Sequence, residues 1–309
     1  MVLEPIDRAP QGLETLRDIV RYAASRFNEA GLVFGHGTDN AIDEAAALAL
    51  HTLHLPGELP DVYWGARLTE SEREAVMARV RERIEERKPL PYLTYQTTFC
   101  GLPLYVDERV LVPRSPLAEL VERGFQPWLD PGEVTRVLDI GTGSGCIAVA
   151  CAYAFPAAVI DAADNDPDAL EVAAINVHRH DLEQRVRLHR ADVFDGVPQQ
   201  RYQLIVSNPP YVDAPAMAAL PTEYRHEPSS ALAAGQDGLD IVRRILREAP
   251  RYLDDGGILV LEVGDSEDAV ADAFGHLPLT WVELERGGYG VFLLTAEQLR
   301  EAEAEGMLG

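Results

Sequence analysis

The amino-acid sequence predicts an α/β fold: a mostly parallel, doubly wound sheet ending in an antiparallel hairpin, preceded by a small helical region and a separate β-hairpin. Three observations carry this. From Val134 onward the apolar runs VTRVLDI, AVIDAAD, VRLHR, QLIVSN and ILVLEVG alternate with stretches of helical character, as strands joined by crossover helices do. The end departs from that pattern, because WVELERGGYGVFLLT sets two strand-like runs about Gly287-Gly288, which suits an antiparallel pair. Before Pro89 the spacing is helical instead: Leu13, Leu16, Ile19, Val20 and Ala23 recur at three and four positions.

A chain of 309 residues exceeds what one such sheet needs. The expected division is a helical domain over 1–90, a hairpin and linker over 91–130, and the sheet domain over 131–309. Within the helical part, FGHGTDN reads as a glycine-containing loop whose Thr38, Asp39 and Asn40 can cap an Ala-rich helix over 41–50. His36 is read there as a loop residue. A third helix is expected over 69–87, where Thr69 and Glu72 match a capping box. Its charges Arg79, Arg81, Glu82, Arg83, Glu85, Glu86 and Arg87 read as a solvated face. Beyond Pro89, TTFCGLPLYVDERVLVP alternates aromatic and β-branched residues about a turn at 101–103, as a hairpin at the hinge between domains does.

Composition narrows the function. With 47% hydrophobic and 25% charged residues the chain can bury a core and is not of the disordered class. MVLEPIDRAP lacks the basic-then-apolar pattern of a leader, and no run reaches the roughly 18 apolar residues of a membrane span. A cytoplasmic protein without a membrane partner is expected. The cysteines Cys100, Cys146 and Cys151 show no CxxC spacing, and His178 and His180 have no further ligands near them in sequence. Reduced core thiols, solvent-facing histidines and no metal are expected. Acidic residues number 51 against 27 basic, a formal charge of −24 that repels a phosphate backbone and attracts basic proteins. Direct nucleic-acid binding is therefore not expected.

The chemistry lies at the ends of successive strands. After the first comes Asp139-Ile140-Gly141-Thr142-Gly143-Ser144-Gly145, then a helix of small residues. Glycines let the chain turn sharply there and let a ligand lie against main-chain amides. The spacing is GxGxG, not the GxGxxG of nicotinamide enzymes. Read alone, it also fits a tight turn with no ligand. Asp164, after the second strand, can accept both hydroxyl hydrogens of a ribose. Asp192 and Val193, after the third, can receive an adenine, the carboxylate at its amino group and the apolar side chain over its ring. Three such features in order favour a nucleoside-bearing cofactor over three ordinary turns. After the fourth strand stands Ser207-Asn208-Pro209-Pro210-Tyr211. The prolines stiffen the backbone, so the Pro209 carbonyl can be held toward a pocket. With the Asn208 side-chain oxygen it can accept the two hydrogens of a carboxamide, while Tyr211 packs on the amide plane. Fixed acceptors favour the transition state in which charge develops on those hydrogens.

DIGTGSG paired with NPPY, preceded by FCGLPLYVDERVLVPRSP and RFNEAGLVFGHGTDN, resembles the protein N5-glutamine methyltransferases over nearly the whole chain. The resemblance implies a class I methyltransferase fold and S-adenosylmethionine as cofactor. It implies Asp139, Gly141, Thr142, Gly143, Gly145, Asp164, Asp192, Val193 and Asn208 as the cofactor site, and Asn208, Pro209, Pro210 and Tyr211 as the catalytic residues. Ser115-Pro116 after Pro113-Arg114, together with GHGTDN, is similar to the branch that modifies the third protein of the large ribosomal subunit, rather than the branch acting on peptide release factors. A DNA or RNA amino-methyltransferase would use a similar Asn/Asp-Pro-Pro-aromatic motif, but the charge and the lack of a basic, aromatic-rich region oppose it. Arg114 is left between a substrate channel and a partner carboxylate, and Glu227 and Glu262 receive no role.

Overall fold

The computed structural model describes residues 12–308, so the stretch on which the leader expectation rests lies outside the described residues. The chain forms two compact units. One holds the described residues up to Gln96 together with Pro221–His226; the other holds Thr97–Leu220 and the described residues from Glu227 on.

The smaller unit is helical: α1 Leu16–Glu29, α2 Ala41–Thr52, the short α3 Asp61–Trp64, α4 Glu70–Glu86 and α5 Leu90–Thr94. Local chemistry sets the starts. Thr15 with Asp18, and Thr69 with Glu72, close capping boxes on α1 and α4, and the Asn40 side chain accepts the amides of Ile42 and Asp43 at the head of α2. Leu16, Ile19, Ala23 and Phe27 meet Ala45, Leu48 and Ala49 and the Val76, Met77 and Val80 face of α4 in one apolar core.

The solvated-face expectation for α4 fails at Arg83. It falls one helical turn beyond Val80, on the same buried face, and its side chain is 1% exposed. It is tolerated there because Glu44, also 1% exposed, receives its Nε at 2.6 Å. Arg87, one turn on, pairs with Glu223 at 2.7 Å. Glu223, fully buried, also accepts the Val33 amide at 3.0 Å. His36 is buried in its loop, its ring 4.4 Å from that of Tyr224.

The larger unit opens with β1 Thr97–Phe99 and β2 Leu102–Leu104, paired antiparallel. The hairpin is shorter than the sequence suggests, and its turn is Cys100-Gly101, both at positive φ (50° and 72°), as a tight two-residue turn requires. After α6 Leu117–Glu122 come β3 Arg136–Ile140, α7 Cys146–Ala154, β4 Val159–Asp164, α8 Pro167–Arg179, β5 Val186–Arg190, β6 Tyr202–Ser207, α9 Ala214–Ala219, α10 Asp240–Glu248, β7 Leu253–Glu262, α11 Glu267–Phe274, β8 Thr280–Trp281, β9 Val291–Thr295 and α12 Ala296–Ala304. The sheet runs β5-β4-β3-β6-β7-β9-β8; β9 is antiparallel to both its neighbours and the other pairs are parallel. The final pair is antiparallel, as the sequence predicts, but residues 283–290 are not strand. The Glu119 carboxylate instead captures the amides of Glu285 and Arg286 at 3.0 Å each.

Alternation along the strands divides the core. Val137, Leu204, Val206, Ile258 and Val260 face α6 and α7, whereas Leu138, Ile140, Ile205, Leu259 and Leu261 face α10, α11 and α12. Both sheet faces are covered, which is why these strands read as continuous apolar runs. Strand order reverses about β3, so a crevice opens at the carboxyl ends of β3, β4 and β6.

Candidate active site

The crevice holds a cavity of about 370 Å³, within the range of small-molecule sites. The glycine loop forms its floor. Gly141 and Thr142 both donate their amides to the Ala163 carbonyl, at 2.8 and 3.0 Å, which folds the loop over the end of β4. Gly145 sits at φ 78°, and a Cβ there would lie 3.2 Å from that of Ala173, so a side chain would be strained by conformation and by α8 together. Thr142 donates its hydroxyl to Asp139 at 2.6 Å and Ala148 its amide to the same oxygen at 3.1 Å. Asp139 is fully buried, and burial pushes its carboxyl up to about 7. Its other oxygen has no partner among the described residues.

Asp164 stands at the rim. Its carboxylate accepts the amides of Gly143 at 2.8 Å and Asp166 at 3.0 Å, and burial raises its pKa. A carboxylate at this place can also accept the ribose hydroxyls. Asp192 also reaches the cavity, but its carboxylate is engaged by Arg244 at 2.7 Å on the exposed side. Val193, 6% exposed, holds a left-handed φ of 59°, rare for a β-branched residue. That conformation turns the chain as it passes the cavity.

The far wall is the end of β6. Ser207 donates its hydroxyl to the Ile140 carbonyl at 2.6 Å, binding the end of β6 to the end of β3. Asn208, Pro209 and Pro210 line the cavity, and the Asn208 carboxamide makes no hydrogen bond within the protein among the described residues. A Cβ on Gly141 would come 3.9 Å from the Asn208 carbonyl, so glycine loop and motif lie side by side.

Of the residues singled out by sequence, Gly141, Thr142, Gly143, Asp164, Asp192, Val193, Asn208, Pro209 and Pro210 are brought together around the cavity. Asp139 and Gly145 belong to the loop without lining the cavity, and Tyr211 turns toward Glu262. Arg114 lines the cavity and is also paired: its Nη2 meets Glu227 at 2.8 Å, and Glu227 accepts the Val112 amide at 3.0 Å. Sequence reading missed Asn176, fully buried, whose side-chain nitrogen donates to the carbonyls of Ser144 and Tyr105 and so ties the glycine loop to the strap after the hairpin. The signal available in the sequence is an Asn set between Ile175 and Val177 in an expected helix. His178 pairs with Glu183 at the surface, and among the described residues no group of three or more His, Cys, Asp or Glu is placed to hold a metal.

This fold is that of the class I methyltransferases, and the chain is a methyltransferase. Residues 125–222 match the family model of the methyltransferase small domain. The ribosomal protein uL3 glutamine methyltransferase of Neisseria meningitidis serogroup B is 51% identical over 300 residues, 97% of this chain and 99% of that protein. Its namesake in Neisseria gonorrhoeae is 50% identical over 294 residues, 95% of this chain and 98% of its own. The crystal structure of a methyltransferase from Pyrococcus furiosus superposes with a TM-score of 0.46 at 20% identity, covering 63% of this chain and 89% of that one. The chain belongs to the family of ribosomal protein uL3 glutamine methyltransferases.

Proposed function

We propose that this protein transfers a methyl group from S-adenosylmethionine to the side-chain amide nitrogen (N5) of a glutamine in ribosomal protein uL3, in the cytoplasm. What carries the reading is identity of about one half, over nearly the whole chain, with proteins named ribosomal protein uL3 glutamine methyltransferases. The glycine loop, the Asp164 carboxylate and the cavity between them fit the cofactor. Bound there, S-adenosylmethionine would supply an electrophilic methyl on a sulfonium sulfur.

The protein's own part is to hold. Asp164 would accept the ribose hydroxyl hydrogens, Asp192 those of the adenine amino group, and Val193 would cover the ring. Asn208 and the Pro209 carbonyl would accept the two hydrogens of the glutamine amide and aim its nitrogen. That nitrogen is a weak nucleophile because its lone pair is shared with the carbonyl. Acceptors already in place strengthen as charge grows on the hydrogens and need no reorganisation, and as the nitrogen–methyl bond forms and the sulfur–methyl bond breaks one of those hydrogens leaves as a proton. The net charge of −24 suits a basic partner, and among the described residues no helix is long and apolar enough to cross a membrane.

The test is incubation with methyl-labelled S-adenosylmethionine and either unmethylated uL3 or a peptide release factor. Label at one glutamine of uL3 is expected, and label in the release factor alone would overturn the assignment.

A further inference from the structure

Glu262 closes β7 next to the motif, 4% exposed and outside the cavity lining. Two hydroxyls point at its carboxyl: Ser115 donates to Oε2, and Tyr211 to Oε1 at 3.3 Å. Tyr211 is gripped elsewhere by the same turn. Its carbonyl accepts the Ser266 hydroxyl at 2.7 Å, and its ring lies so close over Gly264 that a Cβ there would come within 2.7 Å of it. The residue after Pro210 is therefore held at hydroxyl, ring and carbonyl. Ser115, on the other side, belongs to the cavity wall that carries Pro113 and Arg114.

Resting on the reading that Asn208 and Pro209 receive the substrate amide, we propose that Glu262 is a positioning residue for methyl transfer: its carboxyl joins Ser115 to Tyr211 and so keeps the two cavity walls in register. A carboxylate is the side chain the arrangement asks for, because both neighbours donate and only an anionic acceptor offers both oxygens to them. A glutamine would turn an N–H toward one donor, and a protonated carboxyl would turn an O–H. Burial pushes the Glu262 carboxyl up to about 7, so this loss falls near neutrality. The charged and titratable groups around it are Tyr211, Arg114 with its partner Glu227, and Asp265 on the next turn, held by Tyr289.

The experiment measures transfer by the full chain, with S-adenosylmethionine and uL3, across pH for wild type, Glu262→Gln, Tyr211→Phe, Ser115→Ala and the Glu262→Gln/Tyr211→Phe double variant. Wild-type kcat is expected to rise with pH through about 7. Glu262→Gln should lower kcat by about tenfold, leave KM for the cofactor within about twofold, and flatten that rise. The double variant should be no slower than the slower single. Asp139 titrates in the same window, so the difference between wild type and Glu262→Gln decides. A wild-type pH profile and kcat in Glu262→Gln, or a double variant whose fall is the product of the singles, would overturn the inference. Should Glu262→Gln not fold, Tyr211→Phe and Ser115→Ala reach the same carboxyl from its partners, and a pH rise unmoved in both overturns it equally. Wild-type protein that transfers nothing to uL3 overturns the functional reading instead, and the inference with it.

Discussion

Asn208→Ala separates holding the substrate from holding the fold. The Asn208 side chain is half-buried and makes no hydrogen bond within the protein among the described residues, so its removal orphans no neighbour. Stability should change by no more than about 0.5 kcal/mol. Catalysis should suffer far more, because one of two fixed acceptors for the amide hydrogens disappears where charge develops. Loss of one such preorganised partner costs about 10²–10³ in rate, roughly 2.7–4 kcal/mol. Single-turnover transfer of labelled methyl to uL3 measures the rate, calorimetric titration with S-adenosylhomocysteine measures the cofactor site, and urea unfolding checks the fold. A rate fall below about threefold, or a loss of cofactor affinity matching the loss of rate, would refute the role given to Asn208.

Asp164→Ala should act on the cofactor first: losing charge-assisted bonds of about 1.5–3 kcal/mol each weakens calorimetric binding at least about tenfold. Glu44→Ala leaves the Arg83 guanidinium buried with its principal partner gone, and should lower urea-measured stability by about 3–5 kcal/mol; adding Arg83→Met should recover most of it. Raising salt should increase KM for uL3, a basic protein in this account, and leave KM for S-adenosylmethionine nearly unchanged, because only the former attraction is long-ranged.

The sheet and the grouping of its loop residues were legible in the sequence because both follow from local rules. Buried parallel strands must be apolar throughout, and ligand loops at their carboxyl ends need glycine, acid or proline at fixed offsets. Gly141, Asp164 and Asn208 could thus be placed in one crevice before any fold was known. What escaped reading was fixed by partners far away in the chain. Arg83 looks like one charge in a solvated run, and its burial depends on distant partners, Glu44, 39 residues earlier, and the Val33 carbonyl. The strand expected before the Gly287-Gly288 turn gives way to a loop after Trp281, where Glu119, more than 160 residues upstream, takes the amides of Glu285 and Arg286. Tyr211 reads as a ring for the substrate, yet its hydroxyl is committed to Glu262, in a stretch that carried no chemical signal of its own.

The most direct test of the account is fragmentation mass spectrometry of uL3 after reaction with this protein and S-adenosylmethionine. One added methyl, located on the side-chain nitrogen of a single glutamine and missing from the Asn208→Ala reaction, is the predicted result. A methyl on an oxygen or carbon, or on any residue other than glutamine, would contradict it.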